Sequence, residues 1–104
     1  MALASSQRTA LDSSISSAIS NIPSLLERWN QRSTIKKYQV VDITEFIYGH
    51  VLGVISNSLY NIIFITEGRM PTSDETLEAE EIILRRLPEI RNLIVTEIYY
   101  HRPR

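Results

Sequence analysis

Two histidines, His50 and His101, are the only imidazole side chains in this sequence of 104 residues. Imidazole binds metals and acts as a general base near neutral pH, but either role needs further groups at a fixed spacing. The sequence contains no His-x-x-x-His or Glu-x-x-His pattern, and the two histidines fall on different predicted helices. We therefore expect no metal site.

Motifs for covalent catalysis and for nucleotide binding are also missing. The sequence has no Gly-x-Ser-x-Gly, no phosphate-binding loop and no dinucleotide glycine pattern. It has no cysteine, which excludes a thiolate nucleophile, a disulfide framework and a Cys-based zinc site. The acidic run over residues 74–81 would spread around the solvent face of a helix, near the N-terminus whose dipole it complements. The sequence predicts neither catalytic residues nor a cofactor, and we do not expect an enzyme.

A stripe of small and polar residues is the strongest candidate for a functional surface. Gly49 and Gly53 leave two side chains out on one helical face, one turn apart, so that another helix could approach closely. His50, Asn57 and Asn61 follow on the same side and could form a buried hydrogen-bonded ladder. We define the polar stripe as Gly49, His50, Gly53, Ser56, Asn57, Tyr60 and Asn61.

Three interpretations of the polar stripe are open at this point. It could pack against another helix of the same chain, or it could line a pocket for a small ligand. It could also form a homotypic interface in which two copies cross at Gly49 and Gly53, with the Asn and His side chains fixing the register. Each glycine inside a helix costs about 1 kcal/mol relative to alanine, so a compensating contact is expected. Self-association is favoured, because three helices can hardly cover a helix that is uncharged all round.

A second group of candidate residues is cationic. We define the basic patch as Arg28, Arg32, Lys36 and Lys37, which could be joined by Arg102 and Arg104 of the C-terminal tail. Such a cluster is typical of a solvated connection, but it could also bind nucleic acid or an acidic partner. The formal net charge of -1 argues against a dedicated nucleic-acid binder. Nucleic acid is therefore the alternative rather than the favoured partner, although self-association would double the patch.

The polar stripe lies in the longest uncharged segment of the chain, between Glu45 and Glu67. Asp42 and Glu45 form a capping-box pattern, with Val41 and Phe46 placed as its hydrophobic staple. Gly68 suits the left-handed position that ends a helix. These signals predict one helix over residues 43–67, about 37 Å long.

This helix is long enough to cross a bilayer, which takes about 20 residues. His50, Asn57 and Asn61 would be costly in lipid, so we expect a buried helix and no membrane span. Its aliphatic residues are predicted to face the core over more than half of its circumference: Ile43, Ile47, Val51, Val54, Ile55, Leu59, Ile62 and Ile63.

Two further long helices are predicted, over residues 9–30 and 74–100. The first has a heptad-like seam and is expected to kink or to break briefly at Pro23. The second is capped by the Thr72–Glu75 pattern and is expected to kink at Pro88. The predicted core residues of the first helix are Leu11, Ile15, Ala18, Ile22, Leu25 and Trp29. Those of the second are Leu77, Ile83, Leu84, Leu87, Ile90, Ile94 and Ile98.

Hydrophobic residues make up 43% of the chain and charged residues 22%, which is typical of a globular protein. We predict one all-α domain over residues 1–104, an up-down-up three-helix bundle with a flexible segment at 1–8 and a basic tail at 101–104. We expect this bundle to associate into a homodimer or a higher helical bundle. The lack of cysteine and of a continuous apolar N-terminal segment favours the cytoplasm. The expected function is that of a small non-enzymatic interaction, scaffold or adaptor protein, which self-associates through its central helix and docks a protein partner.

Overall fold

The chain forms helices and no strand over residues 2–100, which are the residues that the computed structural model describes. It forms α1 (Ser5–Ser20), α2 (Ile22–Trp29), α3 (Arg32–Lys37), α4 (Ile43–Glu67) and α5 (Ser73–Tyr100). The predicted all-α class is confirmed for this part of the chain. It contains five helices rather than three, because the first predicted helix is divided and its connection to α4 contains a short helix.

The division between α1 and α2 falls at Asn21, two residues before Pro23. The Asn21 amide donates to the carbonyl oxygens of Ser17 and Ala18, at 3.1 and 3.2 Å, which tightens the last turn of α1. Pro23 then lies in the first turn of α2, where its missing N–H leaves no helical hydrogen bond unmade. Of the two predicted alternatives, a kink or a brief break, the structure has a break of one residue.

The central helix α4 has the bounds that its capping signals predicted. The Asp42 carboxylate accepts from the Glu45 amide at 3.1 Å, and Gly68 ends the helix with a left-handed φ of 67°. The reciprocal half of the capping box is not made, because the Glu45 carboxylate accepts instead from Arg91 of α5. The predicted staple is also wrong, since Val41 is fully exposed.

Helix α5 begins one residue earlier than predicted and continues through Pro88. Its capping box is complete: Thr72 Oγ1 accepts from the Glu75 amide at 3.2 Å, and the Thr72 amide donates to Glu75 Oε1 at 2.8 Å. The buried side of its first turns includes Glu75 and Ala79, and this places Leu77 and Leu84 in solvent. The prediction that these two leucines belong to the core is wrong.

The core is built from rows of residues spaced by four, a spacing that keeps side chains on one helical face. Helix α4 packs on α1 and on α5, and α2 packs on both α4 and α5. The row that α4 contributes consists of Ile47, Val51, Ile55, Leu59 and Ile63. Their main partners are Leu11, Ile15 and Ile19 of α1, Ile22 and Leu26 of α2, and Ala79, Ile90 and Ile94 of α5.

The segment before α1 also takes part in the core. Leu3 is 2% exposed and Gln7 is 5% exposed, although residues 1–8 were predicted to be flexible. The Leu3 amide donates to Glu78 of α5 at 2.8 Å, so the start of the chain is fixed to the start of α5. Within its described part, Leu3 attaches the segment to α5, and the first turn of α1 follows from Ser5.

Candidate functional site

The polar stripe lies on the side of α4 that faces away from the other helices. Gly49, Gly53, Asn57 and Asn61 form a row spaced by four, offset two residues from the buried row and thus about 200° around the helix. All seven residues of the stripe are exposed. Apart from the adjoining residues and the backbone of α4 itself, a Cβ atom added to Gly49 or Gly53 would meet no atom of residues 2–100 within 4 Å.

The exposure of the stripe argues against one of the three interpretations, that it packs against another helix of the same chain. The glycines of the stripe do not pack against another helix within residues 2–100, because no side chain covers Gly49 or Gly53. The predicted ladder of His50, Asn57 and Asn61 is not buried either, since all three side chains are in contact with solvent. An intramolecular role for the two glycines is therefore excluded within the described chain.

Exposed apolar side chains border the polar stripe. Val54 is 47% exposed, Phe64 63% and Ile65 81%, so the prediction that Val54 lies in the core is wrong. No charged residue lies between Glu45 and Glu67, whereas the solvent side of a helix normally carries charges. We call the polar stripe together with Val54, Phe64 and Ile65 the open face of α4.

The apolar surface continues onto the neighbouring flank of α5. The Arg91 guanidinium lies 4.8 Å from the centre of the Tyr48 ring of α4, which shows where the two helices meet. Leu84 and Val95 lie seven residues before and four after Arg91, a spacing that puts them on the same side of α5. They are 60% and 49% exposed. Exposed apolar side chains are therefore not confined to α4, and on α5 the Arg91–Glu45 ion pair lies among them.

At the N-terminal end of α4 the open face reaches an aromatic cluster, which consists of Trp29, Tyr38, Phe46 and His50. The Trp29 ring centre lies 5.3 Å from that of Tyr38, 5.1 Å from that of Phe46 and 6.5 Å from that of His50. These contacts fasten the connection between α2 and α4, although none of the six residues of α3 is buried. His50 thus joins the polar stripe to this cluster.

Two cations of the basic patch lie against the aromatic cluster. The Arg28 guanidinium lies 5.9 Å from the Trp29 ring centre, and the Lys37 ammonium lies 5.6 Å from that of Tyr38. All four cations of the patch are exposed. Two of them are therefore brought together through the aromatic rings. The other predicted members of this site, Arg102 and Arg104, lie outside the described residues.

A polar clasp, which consists of Gln7, Glu67, Arg69 and Glu75, closes the opposite end of the molecule. Gln7 Nε2 donates to Glu67 Oε2 at 2.6 Å and joins α1 to the end of α4. Arg69 donates to Glu67 at 2.9 Å and, through both of its terminal nitrogens, to Glu75 at 2.7 and 2.9 Å. Sequence reasoning identified Glu75 only as part of a cap.

The charges in this clasp shift one another's titration. The Arg69 guanidinium, followed by the Thr72 amide, lowers the pKa of Glu75 to about 2 although its side chain is almost completely buried. The same carboxylate, together with Glu67, raises the pKa of Arg69. Nearby, the Leu3 amide lowers the pKa of Glu78, with a further contribution from Arg8. These carboxylates stay ionised and hold the helix ends together, which is a structural task.

A groove of about 1030 Å³ lies between α2, α3 and the end of α5. Its lining includes Glu27, Asn30, Arg32, Glu97 and Tyr100. No residue of the polar stripe lines it, so this groove does not correspond to the ligand pocket considered for the stripe. Among residues 2–100, no three His, Asp or Glu side chains are grouped so that they could hold a metal ion.

Helix α4 is long and apolar enough to cross a membrane by length and composition alone. Its most apolar window of 18 residues has a mean hydropathy of 1.2, and 22% of that window is buried in the molecule. The core helix of a soluble protein passes the same test, so this property by itself is weak evidence.

Comparison with known protein families, with characterised proteins and with solved structures finds no match to this chain.

Proposed function

We propose that this protein is a small non-enzymatic interaction module of the cytoplasm, which self-associates through the open face of α4 and docks a protein partner as a scaffold or adaptor. In this proposal the long segments form an up-down-up bundle in which α1 and α2 together act as one helix. The observation that carries it is the exposure of an uncharged helix face with two uncovered glycines, Gly49 and Gly53.

The energetics of the free monomer support a covering partner. Covering the exposed side chains of Phe64 and Ile65 would stabilise a complex by about 25 cal/mol for each Å² of apolar surface that is removed from water. The two glycines cost about 1 kcal/mol each in helix stability, and no contact within residues 2–100 offsets that cost. A second helix that approaches closely at Gly49 and Gly53 would compensate both terms through backbone packing.

The area of the open face also bears on self-association, and α4 alone supplies about half of what a stable interface buries on each partner. An α-helix of 25 residues presents a face of roughly 400 Å², from its length of about 37 Å and a width of about 10 Å. A stable interface usually buries about 800 Å² on each partner. The exposed Leu84 and Val95 beside α4 extend the face toward that value.

Sedimentation velocity at tens of micromolar tests the proposal, with Gly53→Leu as the key variant. Leucine has space at position 53 of the monomer and is a better helix former than glycine, so helicity and melting temperature should be kept or raised. The added side chain should nevertheless block close approach of a second copy and raise the dissociation constant by about tenfold or more. Asn92→Leu, at an exposed position of α5, is the matched control and should leave assembly unchanged.

If the wild-type protein sediments as a monomer at these concentrations, the proposal is refuted. Equal assembly of Gly53→Leu and the wild-type protein would leave self-association in place but move it to another surface.

The competing function is a nucleic-acid-associated regulator that uses the basic patch. The observation in its favour is the exposure of all four cations beside exposed Tyr38. Phosphate contacts release counterions, so binding to duplex DNA should weaken steeply as salt is raised. Fluorescence anisotropy with a labelled duplex at low salt measures this, and the absence of binding there removes the alternative.

A further inference from the structure

Charge is segregated along the molecule, and this segregation bears on how two copies would meet. The molecule is 46 Å long, and α4 runs along it from the aromatic cluster to the polar clasp. At the clasp end six anions face two cations: Glu67, Asp74, Glu75, Glu78, Glu80 and Glu81 against Arg8 and Arg69. At the aromatic end five cations face four anions: Arg28, Arg32, Lys36, Lys37 and Arg91 against Glu27, Asp42, Glu45 and Glu97.

We infer that the partner on the open face of α4 is a second copy of this chain in antiparallel orientation. The inference rests on the proposed self-association and adds the direction and the register of the contact. A parallel pair would place two acidic ends together and two basic ends together. An antiparallel pair places the acidic end of each copy beside the basic end of the other, and close opposite charges attract where like charges repel.

The pattern of the polar stripe fits the same arrangement. The row Gly49, Gly53, Asn57, Asn61 has two empty positions followed by two polar side chains of moderate size. A two-fold axis midway between Gly53 and Asn57 sets Asn57 of one copy against Gly53 of the other, and Asn61 against Gly49. Each asparagine then enters a gap that a glycine leaves, as ridges enter grooves when rows spaced by four interdigitate.

Two-fold symmetry also makes the interface closed. Each copy uses the same residues, so the contact ends at a dimer and does not continue into a filament. The asparagine amides lie where they can exchange hydrogen bonds with carbonyl oxygens that the opposing glycines leave accessible. Hydrogen bonding of this kind would fix the register, which apolar side chains such as Val54 and Phe64 fix only weakly.

Disulfide trapping tests the direction directly, because the natural chain has no cysteine. Gly49→Cys and Asn61→Cys each introduce a single thiol at an exposed position. In the antiparallel dimer each of these positions lies about 18 Å from its own copy across the axis, from 12 residues at 1.5 Å each. A disulfide needs Cα atoms within about 7 Å.

Under mild oxidation we therefore expect no covalent dimer from either variant alone and a covalent heterodimer from their mixture. Sedimentation of the reduced variants verifies that both still assemble. Covalent dimers from each variant alone would show a parallel pair and overturn the inference. A dimer in sedimentation that yields no disulfide even from the mixture would overturn the register.

A charge-reversal series provides a second measurement that leaves the open face untouched. Arg32→Glu with Lys36→Glu should weaken the dimer about fivefold at low salt, because the reversed end now faces the acidic end of the other copy. Adding Glu80→Lys and Glu81→Lys to the same chain should restore the wild-type dissociation constant. Glu80→Lys with Glu81→Lys alone should also weaken the dimer, because it removes the charge that attracts the basic end of the other copy. If this pair of changes tightens the dimer instead, two acidic ends lie together in a parallel pair and the inference is overturned.

Failure of the proposed function has a different signature. A wild-type protein that is monomeric in sedimentation refutes self-association itself. If that monomer also co-sediments with neutral phosphatidylcholine vesicles, the open face contacts lipid and a second copy is not its partner.

Discussion

Acid should selectively weaken the polar clasp, and Glu75 is the residue through which this can be measured. Its carboxylate accepts from Arg69 Nη1 and Nη2 and from the Thr72 amide, at 2.7, 2.9 and 2.8 Å. These partners hold the pKa of Glu75 at about 2, below its ordinary value of 4.5. The folded state therefore binds the proton more weakly than the unfolded chain does. The stabilisation is fully present above pH 4.5 and is lost as the pH falls from 4.5 to 2.

The pKa difference sets an upper limit of about 3 kcal/mol on this contribution. The Arg69 side chain is 40% exposed, so solvent screens the pair and we expect about 1–2 kcal/mol. The variant Glu75→Gln keeps the size of the side chain and removes its charge. At pH 7 it should be less stable than the wild-type protein by that amount, and at pH 2 the two proteins should be equally stable.

Urea denaturation followed by circular dichroism, at pH values from 7 to 2, gives both free energies of unfolding. Glu80→Gln, which alters an exposed carboxylate on the same helix, is the control and should show a small difference throughout. The role assigned to the clasp would be refuted if the free energies of unfolding of Glu75→Gln and the wild-type protein still differ at pH 2, or if they are equal at pH 7.

Three further predictions concern α4 and use denaturation below micromolar concentration, where the monomer dominates. Ile55→Ala removes a completely buried side chain and should lower the free energy of unfolding by about 2–5 kcal/mol. Val54→Ala, at an exposed position, should lower it by less than about 1 kcal/mol. Similar losses from the two variants would contradict the orientation of α4. Gly68→Ala should lower stability by about 1 kcal/mol because of its left-handed φ of 67°, and Gly53→Ala should raise it by about as much. Asp42→Ala should cost about 1 kcal/mol, and an unchanged stability would show that the cap is not needed.

The bounds of α4 could be predicted because the signals that set them are local. The Asp42 side chain caps an amide only three residues away, and Gly68 supplies the left-handed conformation by itself. The same reasoning identified the cap of α5 at Thr72. Such interactions depend on neighbouring residues, so the sequence alone contains them.

The break at Asn21, the aromatic cluster and the polar clasp could not be predicted in the same way. Gln7 and Glu67 are sixty residues apart in the chain and meet only because α1 is packed antiparallel to α4. The charged clasp also explains why the predicted apolar stripe of α5 was partly wrong. Arg69 and Thr72 satisfy the Glu75 carboxylate, so Glu75 can be buried, while Leu77, which the pattern placed in the core, is exposed.

By itself the sequence determined that a long, capped, uncharged helix lies at the centre of this protein and that one of its stripes is small and polar. Only the tertiary structure decided that this stripe is exposed. Helical periodicity shows which residues share a face, but not whether a neighbour covers that face. Here α1 and α5 cover one row of α4 and leave Gly49 and Gly53 open to solvent. Burial is a property of the packed helices, and it places the candidate surface on the outside of the molecule.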